Sequence, residues 1–564
     1  ALIGLVLAIG GAWLAVLGGS LYYLVTGVAM VGAGVLLVRG RTLGGWLYLA
    51  IVVLTFLWAW WEVGANAWAQ VPRIIALVVL LVAVLAAMAT MRVRRERWRF
   101  ALAGVLAAVA ITGVDLAVAA NGQPDWVQAA LPAPGTQGMA DPSGQQTGAD
   151  WPSYGGTGSA RRCSPLAQMN ASNVGSLKRA WLIHTGDMPS SPRIAGAPSG
   201  VIQGFDARTG KLRWAWDMMH PEWNGYPPAG QEWARGTPNM WTMASGDEQL
   251  GLVYLPMGNA AADYYSSLRR PEENQFATSL VALDVTTGKP RWRFQAVRKD
   301  VWDYDFGAQA TLVEYKGVPA MVLPSKQGDI YILDRRTGRP LIPVGEIKAP
   351  QIGVEPQQRA ATQPVSLWHT LRQPDLTERD MWGMSPIDQI VCRIQFRRAS
   401  YKGFFTPPEA DRHSIEYPGY NGGTDWGGIA VDPQRGVIVA NYNDMLNYVR
   451  LVPRAEANQR GWQPRDQARG KIGGAEGAGD PQAHTPYAID VNAGWQLPFT
   501  GMLCKQPPYG GIRAIDMATS KTIWDRPLGE ARTNGPFGIP SMLPIPIGTP
   551  NNGGSVVTVG VLIF

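Results

Sequence analysis

Residues 282–292 read ALDVTTGKPRW, and this pattern decides the fold because it recurs along the chain. Residues 204–214 (GFDARTGKLRW) and 514–524 (AIDMATSKTIW) repeat it, with a Trp eight residues after the Asp in every copy. In each copy a short apolar strand meets a turn in which Asp accepts amide hydrogen bonds and Gly, or Ser520 in the third copy, ends the turn. Residues 332–342 keep the turn but place Ile342 where the Trp would stand. The repeats predict β-hairpins of the kind that build radially repeated β-blades, each of which buries its face against a neighbour.

The first 120 residues have a different composition from the rest of the chain. Five apolar runs with almost no charge cover residues 2–16, 21–38, 47–61, 74–91 and 100–120. Several of these runs approach the ~20 residues that a helix needs to cross a bilayer. We therefore predict a transmembrane domain of five helices over residues 1–120.

The basic residues predict how this domain is oriented. Arg39 and Arg41 separate the second and third runs, and five arginines between residues 92 and 99 separate the fourth and fifth. Arginine-rich loops are typically cytoplasmic, so the chain after about Asn121 is expected in the periplasm of a bacterium. Residues 1–120 hold eight Lys or Arg and three Asp or Glu, which accounts for +5 of the formal charge of +7. The basic charge thus reflects membrane topology, and we predict no nucleic-acid partner.

Aromatic residues gather near the predicted periplasmic end of the third helix. Two explanations are open for this group, an interfacial aromatic belt or the wall of a site for a lipid-soluble quinone. The group consists of Trp58, Trp60, Trp61 and Trp68. Asp115 lies inside the fifth run, where a carboxylate usually faces protein, water or a ligand unless it is close enough to the surface to be solvated. A possible quinone site is therefore formed by Asp115, Trp58 and Trp61.

The remaining chain divides into a linker and one large domain. Residues 121–150 are rich in Gly, Pro, Ser, Gln and Thr, which is typical of a flexible linker. Residues 151–564 contain many short Val, Ile, Tyr and Trp runs and no evident long amphipathic helix, so we predict an all-β domain. The Pro-rich segments 345–425 and 453–500 are expected to be long loops of the kind that often carry a site.

Three cysteines limit the redox chemistry of this chain. The sequence has no Cys-x-x-Cys-His, so no c-type haem is expected to be attached to it. Cys163, Cys392 and Cys504 allow one disulfide and leave one cysteine over, and the sequence does not assign the pair. No zinc-binding spacing and no Gly-x-Gly-x-x-Gly after a strand are present, which argues against zinc and a nicotinamide cofactor.

Four residues follow one another in an order that suggests a catalytic site: Trp241, Asn259, Asp303 and Lys326. Each alone has an ordinary structural explanation. Their order, together with the Trp-bearing hairpins, resembles the order of the active-site residues in the quinoprotein alcohol dehydrogenases. Those enzymes are eight-bladed β-propellers that hold pyrroloquinoline quinone. The resemblance implies that Trp241 forms the floor beneath the cofactor and that Lys326 contacts its quinone oxygens. It also implies that Asn259 and Asp303 bind calcium and that Asp303 is the catalytic base.

These assignments agree with the chemistry of the cofactor. Pyrroloquinoline quinone is a flat tricarboxylate, so it needs an aromatic face, a cation and a metal ion. Carboxylate and amide oxygens suit Ca²⁺, with Mg²⁺ as a possible substitute. Asp303 would take the proton of a substrate hydroxyl, with Lys326 beside it. Asp305 is a possible second carboxylate, although a turn or blade residue is the better explanation for it.

Motifs outside the candidate site resemble those of one membrane-bound group of these dehydrogenases. WEVG at 61–64, DWPSYG at 150–155, DMWG at 380–383, DQIVC at 388–392 and CKQP at 504–507 all resemble the membrane-bound glucose/quinate/shikimate dehydrogenases. That family implies an enzyme of the bacterial inner membrane with its catalytic domain in the periplasm. It also implies ubiquinone as electron acceptor, and hence a quinone-dependent oxidoreductase in contact with membrane lipid.

The chain departs from that family in two places. The family has several blades of sequence where this chain has about a dozen residues, near 188–199, and it continues beyond residue 564. Because a propeller lacking blades leaves its ring open, we expect that stretches are missing at both places. Further calcium ligands and substrate contacts are expected in the missing segments.

The substrate is predicted from one loop. Residues 417–426 (YPGYNGGTDW) are more polar than expected of a glucose enzyme, which favours a cyclic polyol or hydroxy acid of the quinate/shikimate type. A surface turn without substrate contact explains the loop about as well. A substrate carboxylate would need a cation, and Arg393, Arg397, Arg398 and Lys402 lie in a stretch that could supply one, although solvated surface charge is the better explanation for most of them.

Other functions remain open at this stage. The enzyme alternative is a glucose (aldose) 1-dehydrogenase that uses the same cofactor. A non-catalytic propeller scaffold of the cell envelope is the alternative of a different class, because a fold does not fix a function. A transporter is disfavoured, because the apolar helices hold one acid and show no internal repeat.

Overall fold

The structure is a computed structural model, and it describes residues 1–91, 94–121, 129–135, 141–145, 151, 153–165, 167–168, 170, 172–176, 199–463, 482, 484–558 and 562–563. The predicted linker lies largely outside the described residues, as does nearly all of the short interval near 188–199.

Five consecutive helices form the N-terminal part of the molecule: α1 (Leu2–Val16), α2 (Tyr22–Val38), α3 (Leu43–Val63), α4 (Ala67–Ala89) and α5 (Arg94–Asn121). They pack around a shared apolar core that includes Leu14, Leu81 and Phe100. Close approach of α1 and α2 depends on glycine, because a methyl group added at Gly11 would overlap the backbone of Leu24. Among the described residues α3, α4 and most of α5 are long and apolar enough to cross a membrane, whereas α1 and α2 are shorter apolar helices.

The rest of the described chain is mainly β-structure with three further helices. The helices are α6 (Pro271–Phe276), α7 (Pro386–Arg398) and α8 (Arg454–Gln459). The strands are β1 (Cys163–Ser164), β2 (Ile202–Phe205), β3 (Leu212–Trp216), β4 (Ser245–Asp247), β5 (Leu252–Pro256), β6 (Ser279–Asp284), β7 (Pro290–Gln295), β8 (Thr311–Tyr315), β9 (Val318–Pro324), β10 (Asp329–Asp334), β11 (Val344–Lys348), β12 (Thr362–Ser366), β13 (His369–Thr370), β14 (Ser414–Glu416), β15 (Ile429–Asp432), β16 (Val437–Asn443), β17 (Asn447–Pro453), β18 (Tyr487–Ala493), β19 (Gly510–Asp516), β20 (Thr522–Pro527), β21 (Val556–Thr558) and β22 (Leu562–Ile563).

Three four-stranded antiparallel sheets form the blades of the domain. Blade A consists of β4–β5–β6–β7, blade B of β8–β9–β10–β13 and blade C of β15–β16–β19–β20. Apolar side chains of A and B share one core, including Tyr254 and Leu333, and those of B and C share another, including Ile332 and Ile515. Smaller sheets pair β2 with β3, β11 with β12, β14 with β17 and β18, and β1 with β21 and β22. The predicted β-blades are therefore present, although eight blades are not seen in the described residues.

The Trp of the first two copies of the repeat packs its hairpin against the next one. Trp214 donates from Nε1 to the carbonyl of Val285 at 2.9 Å, and a Cβ added at Gly288 would lie 2.4 Å from the Trp214 ring. Trp292 covers Gly338 of blade B in the same way. Both glycines have φ of +70°, so a side chain there would be strained as well as obstructed. Each turn Gly thus provides the flat surface on which the preceding Trp lies.

Helix α7 joins the β-domain to the apolar helices. Ser385 caps its start by accepting from the amide of Asp388, and Pro386 occupies its first turn. Ile390 and Ile394 belong to the same apolar core as α1 to α5. A methyl group added at Gly10 of α1 would lie 2.9 Å from Ile390 Cδ1. The prediction that residues 345–425 form long loops is therefore wrong for this segment.

A buried ion cluster lies where α7 meets the helices. Glu62 at the end of α3 accepts from Arg73 of α4 and from Arg393 of α7, each at 2.6 Å. Glu378 pairs with Arg393 at 3.4 Å and with Arg397 at 2.6 Å. Arg73 and Arg393 are each 1% exposed, so their charges depend on these carboxylates.

The disulfide left open by the sequence joins Cys392 of α7 to Cys504, with an S–S distance of 2.04 Å. Cys163 is the free cysteine of the chain. Burial raises the pKa of the Cys163 thiol to about 11, so at neutral pH it is not a reactive thiolate.

Candidate functional site

The segment between β7 and β8 is held by one buried carboxylate. Asp300 accepts from the amides of Trp302 and Tyr304, at 2.8 and 2.9 Å, and from Thr278 Oγ1 at 2.8 Å. The rings of Trp302 and Tyr304 enter the core between blades A and B. The residue between them is thereby fixed from both sides.

That residue is Asp303, the predicted catalytic base. It has φ of +57°, a conformation that L-residues other than Asn and Asp seldom adopt, and its side chain is almost wholly buried. Its Oδ2 lies 3.6 Å from Lys326 Nζ, and its carbonyl accepts from the same ammonium at 3.1 Å. The structure therefore brings together the two predicted catalytic residues.

Asp305 lies at the centre of the cluster. One carboxylate oxygen accepts from Trp241 Nε1 at 3.2 Å and from Lys326 Nζ at 3.0 Å, and the other accepts from the amide of Asn259. The sequence favours a turn or blade role for this residue, whereas the structure places its carboxylate among Trp241, Asn259 and Lys326. The available signal was a second acid two residues after Asp303 in the Trp-Asp-Tyr-Asp run.

Lys326 lies in the tight turn between β9 and β10. Ser325 Oγ donates to the carbonyl of Asp329 at 2.9 Å, and Gly328 takes φ of +93°. The lysine is 3% exposed, so its ammonium is removed from water and compensated by the two aspartates. A lysine beside a turn Gly is ordinarily solvated, and the burial of Lys326 excludes that explanation here.

The Trp241 ring forms one wall of the cluster. Lys326 Nζ lies 5.1 Å from the ring centroid, and Cβ atoms added at Gly258 and Gly307 would lie within 3.0 Å of the ring. The ring is only partly buried. A flat ring with a cation at close range fits a planar anionic cofactor, as predicted for pyrroloquinoline quinone.

Asn259 supplies an amide oxygen beside the same cluster. Its Nδ2 donates to the carbonyls of Asp263 and Asp300, which turns Oδ1 away from them and towards the amide of Ala260 at 2.9 Å. The oxygens of Asn259 and Asp303 are of the kind that calcium binds. Among the described residues no three His, Cys, Asp or Glu side chains gather as a metal site, so calcium would need oxygen ligands from outside this set.

The loop that guided the substrate prediction adjoins the cluster. The amide of Thr424 donates to the carbonyl of Ser325 at 3.2 Å, beside Lys326. Asp425 Oδ1 and the Trp241 ring both lie within 3.0 Å of the Cβ position of Gly307. The loop is therefore next to the site and is not an isolated surface turn.

The arginines proposed to bind a substrate carboxylate lie elsewhere. Arg393 and Arg397 are paired with Glu62 and Glu378 at the helix interface, and Arg398 lies 5.6 Å above the Trp13 ring of α1. Lys402 is exposed on the surface. The prediction that a substrate carboxylate binds here is therefore wrong for the three arginines, because their charges belong to the contact between α7 and the apolar helices.

The three residues of the possible quinone site have different surroundings. Trp58 stacks on Tyr22 at 3.6 Å and lies within 6 Å of the guanidinium groups of Arg73 and Arg393. Trp61 is 82% exposed. One carboxylate oxygen of Asp115 in α5 is buried and has no hydrogen-bond partner among the described residues. Their role in binding quinone stays a prediction.

Another buried carboxylate, which directly follows the lysine turn in sequence, gives a pH-dependent prediction. Burial raises the pKa of Asp329 from 3.8 to about 6, with Arg372 Nη1 at 3.8 Å as its nearest cation. The folded state therefore keeps a proton that the unfolded chain has lost, and stability decreases as pH rises from about 4 through 6. Asp329→Asn removes this titration, so its stability relative to the natural protein should increase over that interval, by on the order of 3 kcal/mol. Thermal unfolding at a series of pH values measures this difference; a constant difference would contradict it.

The β-domain matches a known protein family over nearly all of its length. The family described as "PQQ: Glucose/ethanol/alcohol dehydrogenase, beta-propeller domain" matches residues 151–197 and 192–564. The quinoprotein glucose dehydrogenase of Escherichia coli (strain K12) is 31% identical over 715 aligned positions, covering 100% of this chain and 88% of that protein. The probable quinate dehydrogenase (quinone) of Xanthomonas campestris pv. juglandis is 30% identical over 731 positions, covering 100% and 90%.

Part of the chain is more similar to another relative. The glycerol dehydrogenase large subunit of Gluconobacter oxydans (strain 621H) is 54% identical over 381 residues, which is 65% of this chain and 51% of that subunit. The chain thus spans about half the length of the glycerol dehydrogenase subunits that it matches. The match of the family over most of the β-domain nevertheless decides the assignment: the chain belongs to the family of quinoprotein dehydrogenases whose β-propeller domain uses pyrroloquinoline quinone.

Proposed function

We propose that this chain is a membrane-bound dehydrogenase that oxidises a hydroxyl group of a polyol in the periplasm and passes the electrons to ubiquinone. The observation that carries the proposal is the buried cluster in which Lys326 lies between Asp303, Asp305 and the Trp241 ring. A non-catalytic scaffold would have no need to bury a lysine against two carboxylates beside an aromatic face, since such burial is costly. The apolar helices and the membrane quinoprotein relatives support the location in the inner membrane.

The residues present fit the cofactor and assign a task to each side chain. Trp241 would support the plane of pyrroloquinoline quinone, Lys326 would bind its oxygens, and Asn259 and Asp303 would bind calcium. Bound cofactor and calcium would supply the electron acceptor and the Lewis acid of the reaction. Asp303 would accept the hydroxyl proton on its carboxylate, and Asp305 would keep Trp241, Lys326 and the Asn259 backbone in place.

A neutral polyol is the substrate class that we favour over the hydroxy acid of the quinate/shikimate type. The three arginines considered as carboxylate ligands are at the helix interface. The 54% identity to a glycerol dehydrogenase subunit supports the same choice. Glucose is the second candidate, because a glucose dehydrogenase matches the whole chain.

A substrate screen tests the proposal. The protein is loaded with pyrroloquinoline quinone and Ca²⁺, and dye reduction is measured with glycerol, linear polyols, inositol, glucose, quinate and shikimate. We expect the highest kcat/KM for a neutral polyol. A preference for quinate would overturn the substrate class alone, whereas absence of turnover with every compound would support the scaffold.

Substitutions of Trp241 and Lys326 should have different effects. Trp241→Ala removes the ring beneath the cofactor, so it should mainly raise the cofactor concentration needed for half-maximal reconstitution. Lys326→Ala should chiefly lower turnover at saturating cofactor, because the charge that stabilises the reduced cofactor is gone. The matched control is Lys316→Ala, since Lys316 Nζ is also 5.1 Å from an aromatic ring but is exposed. Equal and negligible effects at Trp241 and Lys326 would argue for the scaffold.

A further inference from the structure

One loop of the β-domain exposes an unusual amount of apolar surface. Residues 534–547, NGPFGIPSMLPIPI, contain no charged side chain in a chain that is 16% charged. Phe537 is 68% exposed, Met542 71% and Leu543 51%, with Ile539 and Ile545 also on the surface. Phe499, on a neighbouring turn, is 90% exposed. A soluble domain rarely exposes so many large apolar side chains together, so this surface, which we call the apolar loop, requires a partner.

The backbone of the apolar loop is suited to a water-poor environment. Four of its residues are prolines, which have no amide hydrogen to satisfy. Other amides donate within the domain: Ser541 to the carbonyl of Asn534 at 3.2 Å, Met542 to that of Arg532 at 3.0 Å and Phe537 to that of Thr500 at 2.7 Å. Because these amides already have partners, placing the loop at the membrane interface would leave few backbone donors unsatisfied.

The turn that carries Phe499 is fastened to the elements that contact the apolar helices. It connects Trp495, whose Nε1 donates to Gln395 of α7 at 2.7 Å, with Cys504, which is disulfide-bonded to α7. The carbonyl of Cys504 accepts from Trp382, whose indole donates to the carbonyl of Trp68 in α4 at 2.7 Å. Phe499 is four residues from Trp495, so its Cα lies within ~14 Å of a residue that touches α7.

We propose that the apolar loop and Phe499 insert into the interfacial layer of the bilayer that holds the apolar helices. The partner is phospholipid, because the loop lacks charge and is hydrogen-bonded through Phe537 to the turn of Phe499, which is itself fastened to α7. The exposed pair Arg532 and Glu530, 2.7 Å apart at the edge of the loop, suits the level of the headgroups. The β-domain would thus contact the membrane at a second place besides its helical anchor. This inference does not depend on the cofactor or the substrate.

Fluorescence of a label in the full-length protein tests the proposal. Cys163→Ser removes the free thiol, and Leu543→Cys is then labelled with an environment-sensitive dye. The matched control is Val285→Cys, because Val285 is 52% exposed, as Leu543 is 51%, but lies in the turn of blade A. Both proteins are placed in phospholipid nanodiscs with and without nitroxide-labelled lipid. We expect a blue shift and quenching by nitroxide at position 543 and neither at position 285.

A second substitution guards against an effect of the label itself. Adding Met542→Glu to the Leu543→Cys protein should diminish the quenching, provided that thermal unfolding is unchanged. A blue shift without nitroxide quenching would mean that protein, either another segment or a second copy, covers the loop, and it would overturn the proposal. Identical emission at positions 543 and 285 would overturn it as well.

Discussion

Asp303→Asn should reduce kcat by ~10²–10⁴-fold, the range typical of losing a general base, while the protein still binds its cofactor. Asn keeps the size of the side chain and also tolerates the left-handed conformation, so φ of +57° can be retained. Lys326 keeps its bonds to the Asp303 carbonyl and to Asp305. Steady-state kinetics with an electron-accepting dye measures the loss.

The cofactor content and thermal stability of the same preparation serve as controls. Bound cofactor is quantified by its absorbance, and an unchanged unfolding temperature shows that the fold is intact. If the variant loses the cofactor as well as turnover, Asp303 acts in cofactor binding and not as the base. Unchanged turnover would exclude it from the chemistry altogether.

Glu62→Gln should destabilise the intact protein by ~3–5 kcal/mol, the cost typical of removing one partner from a buried ion pair. Arg73 and Arg393 both donate to Glu62 at 2.6 Å and are almost completely buried, so the substitution leaves two guanidinium groups without their shared charge. Thermal unfolding in detergent or nanodiscs measures the effect.

The control for this substitution is Glu346→Gln. Glu346 also pairs with an arginine, Arg298, at 2.6 Å, but the two side chains are 47% and 40% exposed. An exposed pair contributes ~0–1 kcal/mol, because water already solvates both charges. If both substitutions shift unfolding equally, the cluster at Glu62 does not hold α7 to the apolar helices.

Features that depend on short stretches of sequence, such as the repeated turns and the apolar runs, were predicted well. The repeated turn and Trp predicted hairpins that pack against a neighbour, and Trp214 lies on the turn of the next blade. The apolar runs located α1, α2 and α3 to within a few residues, but the runs at 74–91 and 100–120 missed the first turns of α4 (Ala67–Ala89) and α5 (Arg94–Asn121). Pro72 and Arg73 interrupt the apolar pattern in the first turns of α4, so the sequence did not indicate a helix there. Both residues are buried in the structure.

Long-range contacts were harder to predict. Helix α7 was missed because its apolar residues are few and match a partner surface more than 300 residues away in sequence, as in the pair Arg393 and Glu62. The role of Asp305 was also missed, since the three groups that donate to it come from three separate segments. Trp241, Asn259, Asp303 and Lys326 were recognisable by family resemblance, and the structure brings them together without testing their roles.

The position of α7 has a consequence for protein engineering. A β-domain separated from its helices, for instance for use on an electrode, would present Ile387, Ile390 and Ile394 to water and would leave Arg393 without Glu62. Such a fragment would tend to aggregate through this one helix even if every blade folded correctly. A water-soluble version would therefore be sought by replacing those isoleucines with polar residues and Arg393 with a neutral one. Cys392 would be kept, so that α7 stays tied to Cys504.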